Sequence, residues 1–536
     1  MSRSFCLSEC LIKNLFYAVV LSSICDYGWL KTMTANCETE TTPEVVSSRF
    51  ARIFGLEDPT PDAVRYVKIL SVLLPAFAAS FQISTTFWMI HMSETLGGGD
   101  YFAGLTLVGI LVVIQMAVQT ALDYPTGALG DAIGQRYVIA SALLCYAVAF
   151  FLSSQIVIGT PFYIYVAIYA LFGLGSSQES GAFSAWFDNN YKVAMPHDKD
   201  RKQYGVFQGR LGMVWQVSST LVLIPGSWLA WLYSRQFVFG LQAIFTVFLA
   251  IAVLKLVKDL PGVREEKDDK PTISEYGALL KDGFKFLWSS RFVTLIILGE
   301  VVLWSTSPIW WNILLFPLYF SFLVTMVAVS AFRTLVFLPQ AIANERSGVL
   351  AKRFEPKKWI PRFRIVQFMG VVFYLILAAI VHFFPGIEPG TDPASLEFLS
   401  IMIPFTNLPL IEIPVVTIVP VFLMFLTFIS LNLFGGIAGI LTQRVMLDVI
   451  PNRIRNSMYS LQPTLIMVVS MPLIVFFGWF IPFTGGFAWT FIICAFISLL
   501  GALMIWQAFK HPIPKAEAVV KADEEEAEEV QEMDIT

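Results

Sequence analysis

The chain is short of charge. Lys, Arg, Asp and Glu make up 14% of its 536 residues, against about 25% in soluble domains, which excludes an ordinary soluble globular protein. Histidine is scarce, with four residues at 91, 197, 382 and 511, and the six cysteines form no Cys-x-x-Cys or Cys/His cluster. Neither a disulfide scaffold nor a metal site is therefore expected. No Gly-x-x-x-x-Gly-Lys-Ser/Thr string occurs, so ATP-driven work within this chain has no phosphate loop to rest on. No His-rich cluster or Ser/His pair lies at membrane depth, which leaves no support for an intramembrane enzyme. No cofactor and no nucleic-acid partner are expected.

What is present is apolar side chain: 56% of residues are hydrophobic and the mean hydropathy is +0.68. Twelve apolar segments follow one another, at about 67–92, 102–122, 137–156, 161–188, 204–232, 236–257, 291–316, 322–345, 362–384, 414–442, 457–481 and 487–509. Each approaches the ~20 residues that cross ~30 Å of hydrocarbon as a helix. Helices rather than strands are expected, because open sheet edges leave backbone groups unpaired in lipid. The expected fold is all-α and integral to the membrane, with twelve transmembrane helices in two six-helix bundles, 67–257 and 291–510. A charged linker, 258–290, separates them. Residues 1–66 are expected to be a poorly ordered arm with a short helix near 45–54, and 511–536 an acidic tail. The apolar run 15–25 is too short to span; either it is a faint signal-like segment or Met33 is the true start and 1–32 an upstream extension.

Basic residues test this topology. With the 123–137 loop taken as cytoplasmic, its side also holds eight basic residues from Lys255 to Arg291 and seven from Arg346 to Arg364, whereas the opposite loops hold only Arg235. Positive residues resist translocation, so both termini are expected in the cytoplasm of a multi-pass cell-membrane protein. The outward loop 385–413 is long and acidic.

The stretch Asp123-Tyr-Pro-Thr-Gly-Ala-Leu-Gly-Asp-Ala-Ile-Gly-Gln-Arg-Tyr137 carries Gly127, Leu129, Asp131, Gly134 and Arg136 at fixed offsets between two spans. It resembles the signature loop between helices two and three of the major facilitator superfamily, departing from it at Ala132 and Gln135. Gly348-Val-Leu350 repeats the start of this loop after helix eight, with Lys352 and Lys357 where the first copy has Asp131 and Arg136. Gly173 through Asp188 resembles the fourth helix of many prokaryotic members, and Ile450-Pro-Asn-Arg-Ile-Arg455 the loop before helix eleven. The glycine-rich antiporter pattern of helix five is reduced to Ile224-Pro-Gly-Ser227. The resemblance implies a conformational latch of Gly127, Asp131, Gly134, Arg136 and Asp188, with Asp131 at the start of helix eleven and Arg136 against Asp188; the plainer alternative is helix capping.

Ionisable residues at membrane depth cost ~2.5–3.5 kcal/mol each on insertion scales and usually serve a function. Glu300 lies ~14 Å and Arg333 ~16 Å into sequential helices, so an ion pair, or two groups facing one aqueous cavity, is expected. Glu179 lies ~16 Å deep among Ser176, Ser177, Gln178 and Ser180, where low dielectric favours a protonated carboxyl; close packing at Gly173, Gly175 and Gly181 is the other reading of that segment. Arg210, only ~9 Å deep, either snorkels to the interface or meets Glu179 or Asp188. Gln82, Gln115, Gln119 and Asn432 are uncharged candidates for substrate contact or interhelical hydrogen bonds. Together these features imply a monomeric secondary transporter of a small-molecule substrate in a lipid bilayer, with a proton or another ion as driving partner. An uncoupled facilitator, or a non-transporting receptor or scaffold on the same fold, is the alternative.

Overall fold

The computed structural model describes residues 49–198, 202–260, 281–451 and 454–514. The segment 1–48, most of the charged linker, the acidic tail beyond 514 and the Asp131 side chain lie outside the described residues.

Twelve helical rods run back and forth among the described residues. In order they are Pro61–Leu96, Tyr101–Ile133, Gln135–Ser154, Phe162–Ala194, Lys202–Leu232, Arg235–Leu256, Arg291–Leu323, Met326–Ala351, Pro356–Phe383, Ile418–Val449, Arg455–Thr484 and Ala488–Ala508. Ten are long and apolar enough to cross a membrane. The other two are the fourth and eighth rods, which carry Glu179 and Arg333. Local sequence starts several rods cleanly. The side chains of Thr60, Ser234, Ser290 and Thr325 accept from the backbone N–H three residues on, satisfying donors that a helix start leaves orphaned.

Three expectations need correction. The first rod begins at Pro61, and the arm before it is packed rather than loose from Arg49 onward. Ala51, Phe54 and Leu56 are buried, Phe54 meets the Phe207 ring at 6.0 Å, and Thr60 donates to Ala194 O at 2.6 Å. Three apolar side chains and a hydrogen bond hold it to the fourth and fifth rods. Second, the 123–137 stretch is not an open loop: the second rod stays helical to Ile133, and the reversal falls on Gly134. Gly134 adopts φ 104°, a conformation that L side chains avoid. Third, the outward stretch 385–413 holds an antiparallel hairpin, β1 Phe398–Met402 with β2 Pro409–Pro414. Trp228 Nε1 on the fifth rod donates to Pro409 O at 2.8 Å, and Glu412 accepts from Thr325 at 2.8 Å. The hairpin therefore bridges the two halves.

Three rods are interrupted at depth. The first breaks at 83–84, where Gly226 of the fifth rod presses in so closely that a Cβ would lie 1.9 Å from Ile83 O. The seventh carries a π-helical turn, Trp310–Leu314, and such turns often mark functional positions. The ninth breaks at 367–370 with Met369 at φ 59°; Phe368 N donates to Leu431 O and the Ser498 hydroxyl to Met369 O.

The halves meet along the second and eleventh rods and along the fifth and eighth. On the hairpin side, Thr106 donates to Gly478 O at 3.1 Å, the Phe102 and Phe487 rings lie 5.3 Å apart, and Arg235 Nε donates to Met326 Sδ at 3.2 Å. Deeper, the hydroxyls of Thr86, Ser227 and Ser330 form one buried cluster joining rods one, five and eight.

Candidate functional site

Glu300 is fully buried on the seventh rod, and its partner is Arg364 rather than Arg333. Arg364 Nε donates to Glu300 Oε1 at 2.9 Å and Nη2 to Oε2 at 2.7 Å, a bidentate pair. Arg364 Nη1 donates to Gln367 Oε1 at 2.9 Å and Nη2 also to Thr442 Oγ1 at 3.0 Å, while Trp304 Nε1 donates to Glu300 Oε2 at 2.9 Å. One salt bridge thus joins rods seven, nine and ten. The expectation failed because Arg364 was counted with the loop charges. It lies instead on an amphipathic helix, Pro356–Val366, whose inner face buries Ile360, Phe363 and Arg364.

Arg333 is buried at 7% exposure on the eighth rod. Its guanidinium lies 4.8 Å from the Trp311 ring and 4.0 Å from the Phe337 ring. Among the described residues it forms no salt bridge. Cation–π contacts offset part of the cost of burying the charge, about 0.5–2 kcal/mol each, but they do not neutralise it. Trp311 sits on the π turn, next to the fully buried Trp310.

Glu179 stands half-buried on the fourth rod, beside Gln178, whose Oε1 has no hydrogen-bond partner. Nearby, the Tyr146 hydroxyl bonds Ser176 Oγ at 3.1 Å, and the Tyr146 ring fills the space over Gly175. Among the described residues Glu179 makes neither salt bridge nor hydrogen bond. Arg210 is exposed eight residues into the fifth rod, its stem beside Gly55 of the arm.

Of the expected latch, Gly127 lies within the helical end of the second rod, Gly134 makes the reversal, and Asp188 is half-buried on the fourth rod. Arg136 donates to its neighbour, the Tyr137 hydroxyl, at 2.7 Å, with its guanidinium over that ring. Gln82, Gln115, Gln119 and Asn432 are all half-buried. Gln82 ends the helix before the first-rod break, and Gln115 and Gln119 lie one turn apart on the second rod. Sequence reasoning missed Arg364, Gln367, Thr442 and the Thr86–Ser227–Ser330 cluster; Gly370 after Gln367, and Ser84-Thr-Thr86 at the other break, were the available signals. Among the described residues no three His, Cys, Asp or Glu side chains gather as a metal site would require.

The arrangement is a two-half helical bundle with ionisable side chains held within each half. It is similar in fold to the nucleoside transporter NupG (TM-score 0.55, 12% identity, 83% of this chain and 100% of that one). A D-xylose–proton symporter gives TM-score 0.55 at 12% identity over 84% and 98%. A bacterial homologue of the human lysosomal transporter Spinster, in an inward-facing and unoccupied conformation, gives 0.53 at 13% over 86% and 94%. No curated protein sequence matches the chain. The family model of the Major Facilitator Superfamily matches residues 69–407, and the chain belongs to that superfamily of membrane transporters.

Proposed function

We propose that the chain is a proton-coupled secondary transporter of a small solute in the cell membrane, in which Glu179 carries the coupling proton. One observation carries the assignment. Of the two acids at membrane depth, Glu300 is paired with a bidentate arginine, whereas Glu179 makes no salt bridge among the described residues. A carboxyl at low dielectric without a counter-charge favours the protonated form, and it can exchange that proton when its surroundings change.

Alternating access fits the same geometry. With the base-rich side and both termini assigned to the cytoplasm, the contacts around Thr106, Trp228 and Arg235 close the outward side. Rocking one bundle against the other about the midplane would break them. The latch of Gly127, Asp131, Gly134, Arg136 and Asp188 would then engage on the opposite side. Arg136 donates to Tyr137 in this structure. The 258–290 segment serves as the hinge, and the chain works as a monomer in lipid without a cofactor.

The test is proton movement in liposomes holding the full chain, with a pH dye and a panel of nucleosides, D-xylose, amino acids and organic acids. Proton flux with one solute, lost in Glu179→Gln, is the expected result. Flux that persists in Glu179→Gln while Glu300→Gln abolishes it would overturn the assignment.

A further inference from the structure

With Glu300 and Arg364 cancelling each other, the charges at membrane depth reduce to Glu179 in the first half and Arg333 in the second. They are not equivalent. A carboxyl can shed its charge by binding a proton, but a guanidinium stays protonated in proteins and carries five N–H donors. Arg364 shows what this fold supplies to a buried arginine that it means to neutralise: four hydrogen bonds, two of them to a carboxylate. Arg333, in the same half, is given two aromatic rings. Rings meet the face of a guanidinium, whereas its donors lie in the plane, in the fork that matches a carboxylate. Most of that fork is unspent.

Its position matters as much as its charge. The π turn that carries Trp311 packs against the second rod of the other half, and the eighth rod runs along the fifth. Ser330, three residues before Arg333, bonds Ser227 across the same junction. Trp311 is 42% exposed, so the protein does not cover its indole on every side. A buried guanidinium with no salt bridge among the described residues, close to where the two bundles meet, is built to receive an anion.

We propose that Arg333 binds the anionic group of the transported solute, and that the solute is a small organic carboxylate lying against Trp311. The inference rests on the transporter reading above and names its substrate class. It also balances charge. A carboxylate on Arg333 and a proton on Glu179 together leave each half without net charge at membrane depth, so anion and proton can cross as a neutral pair.

Thermal unfolding of the full-length protein in lipid nanodiscs tests this with matched pairs: benzoate and benzamide, nicotinate and nicotinamide, lactate and lactamide. At least one carboxylate should raise the unfolding temperature while its amide does not, and should shift a tryptophan emission component that is missing in Trp311→Phe. Arg333→Gln should lower the apparent affinity more than tenfold. Arg333→Lys, which keeps the charge but not the fork, should bind with intermediate affinity, and it remains informative if Arg333→Gln does not fold. Equal responses to acid and amide, no response to any carboxylate, or undiminished binding in both Arg333 variants would overturn the proposal. Uptake of uridine or D-xylose that ignores Arg333→Lys would overturn it while leaving the transporter reading intact. Carboxylate binding lost in Arg333→Gln, without uptake of any solute, would support the site and count against transport.

Discussion

Glu179 and Glu300 sit at similar depth in corresponding halves, yet the fold treats them in opposite ways. Glu300 is closed into a network of arginine, indole, amide and hydroxyl drawn from three rods. Glu179 lies on the same rod as Ser176, which the Tyr146 hydroxyl bonds, and makes no salt bridge among the described residues. Depth in the membrane therefore says that an acid is expensive, not what it is for. The partner decides. A paired acid fixes rods to one another, and an unpaired one does not.

Breaking the paired site should give the largest effect. Arg364→Gln leaves Glu300 without its arginine, and removing one member of a buried pair costs about 3–5 kcal/mol. Thermal unfolding in detergent should show a steep loss, and the double variant Glu300→Gln/Arg364→Gln should recover much of it. A double variant as unstable as Arg364→Gln alone would show that Arg364 acts through packing. Next in size, Trp304→Phe removes a neutral donor to a charged acceptor, expected to cost about 1.5–3 kcal/mol in the same measurement. Thr442→Val, which takes away one acceptor of the arginine, should cost about 1 kcal/mol. At the far end, Glu179→Gln should leave the unfolding temperature nearly unchanged or slightly higher, since it replaces an unpaired acid with a neutral isostere. A large loss of stability in Glu179→Gln would dissolve the contrast between the two acids.

Some of this contrast was legible in the chain and some was not. The depth of Glu179, Glu300 and Arg333 follows from counting along apolar runs, because a helix rises a fixed distance per residue. The partner of Glu300 does not follow from counting. Arg364 stands in the basic string Pro356-Lys-Lys-Trp-Ile-Pro-Arg-Phe-Arg364, and every neighbouring charge argues for a surface loop. Only the rotation of that amphipathic helix turns Arg364 inward. The hairpin was missed for a related reason. Read as a loop, 385–413 is simply acidic; its short alternation Leu-Ile-Glu-Ile at 410–413 becomes a strand because 398–402 lies alongside it. The packed arm from Arg49 to Thr60 likewise depends on a surface, at Phe207 and Ala194, that exists only once rods four and five are assembled.

By itself, then, the sequence determined the membrane class, the number and approximate extent of the rods and the superfamily. Each is a local property: hydropathy, helix rise and turn chemistry are set by residues adjacent in the chain. Tertiary structure alone decided which acid is neutralised, which arginine is left without an anion and where the two halves touch. Those are pairings between residues as far apart as Glu300 and Arg364 or Trp228 and Pro409. The energy of a buried charge is fixed by its nearest opposite charge in space, and distance in space is what a linear chain does not contain.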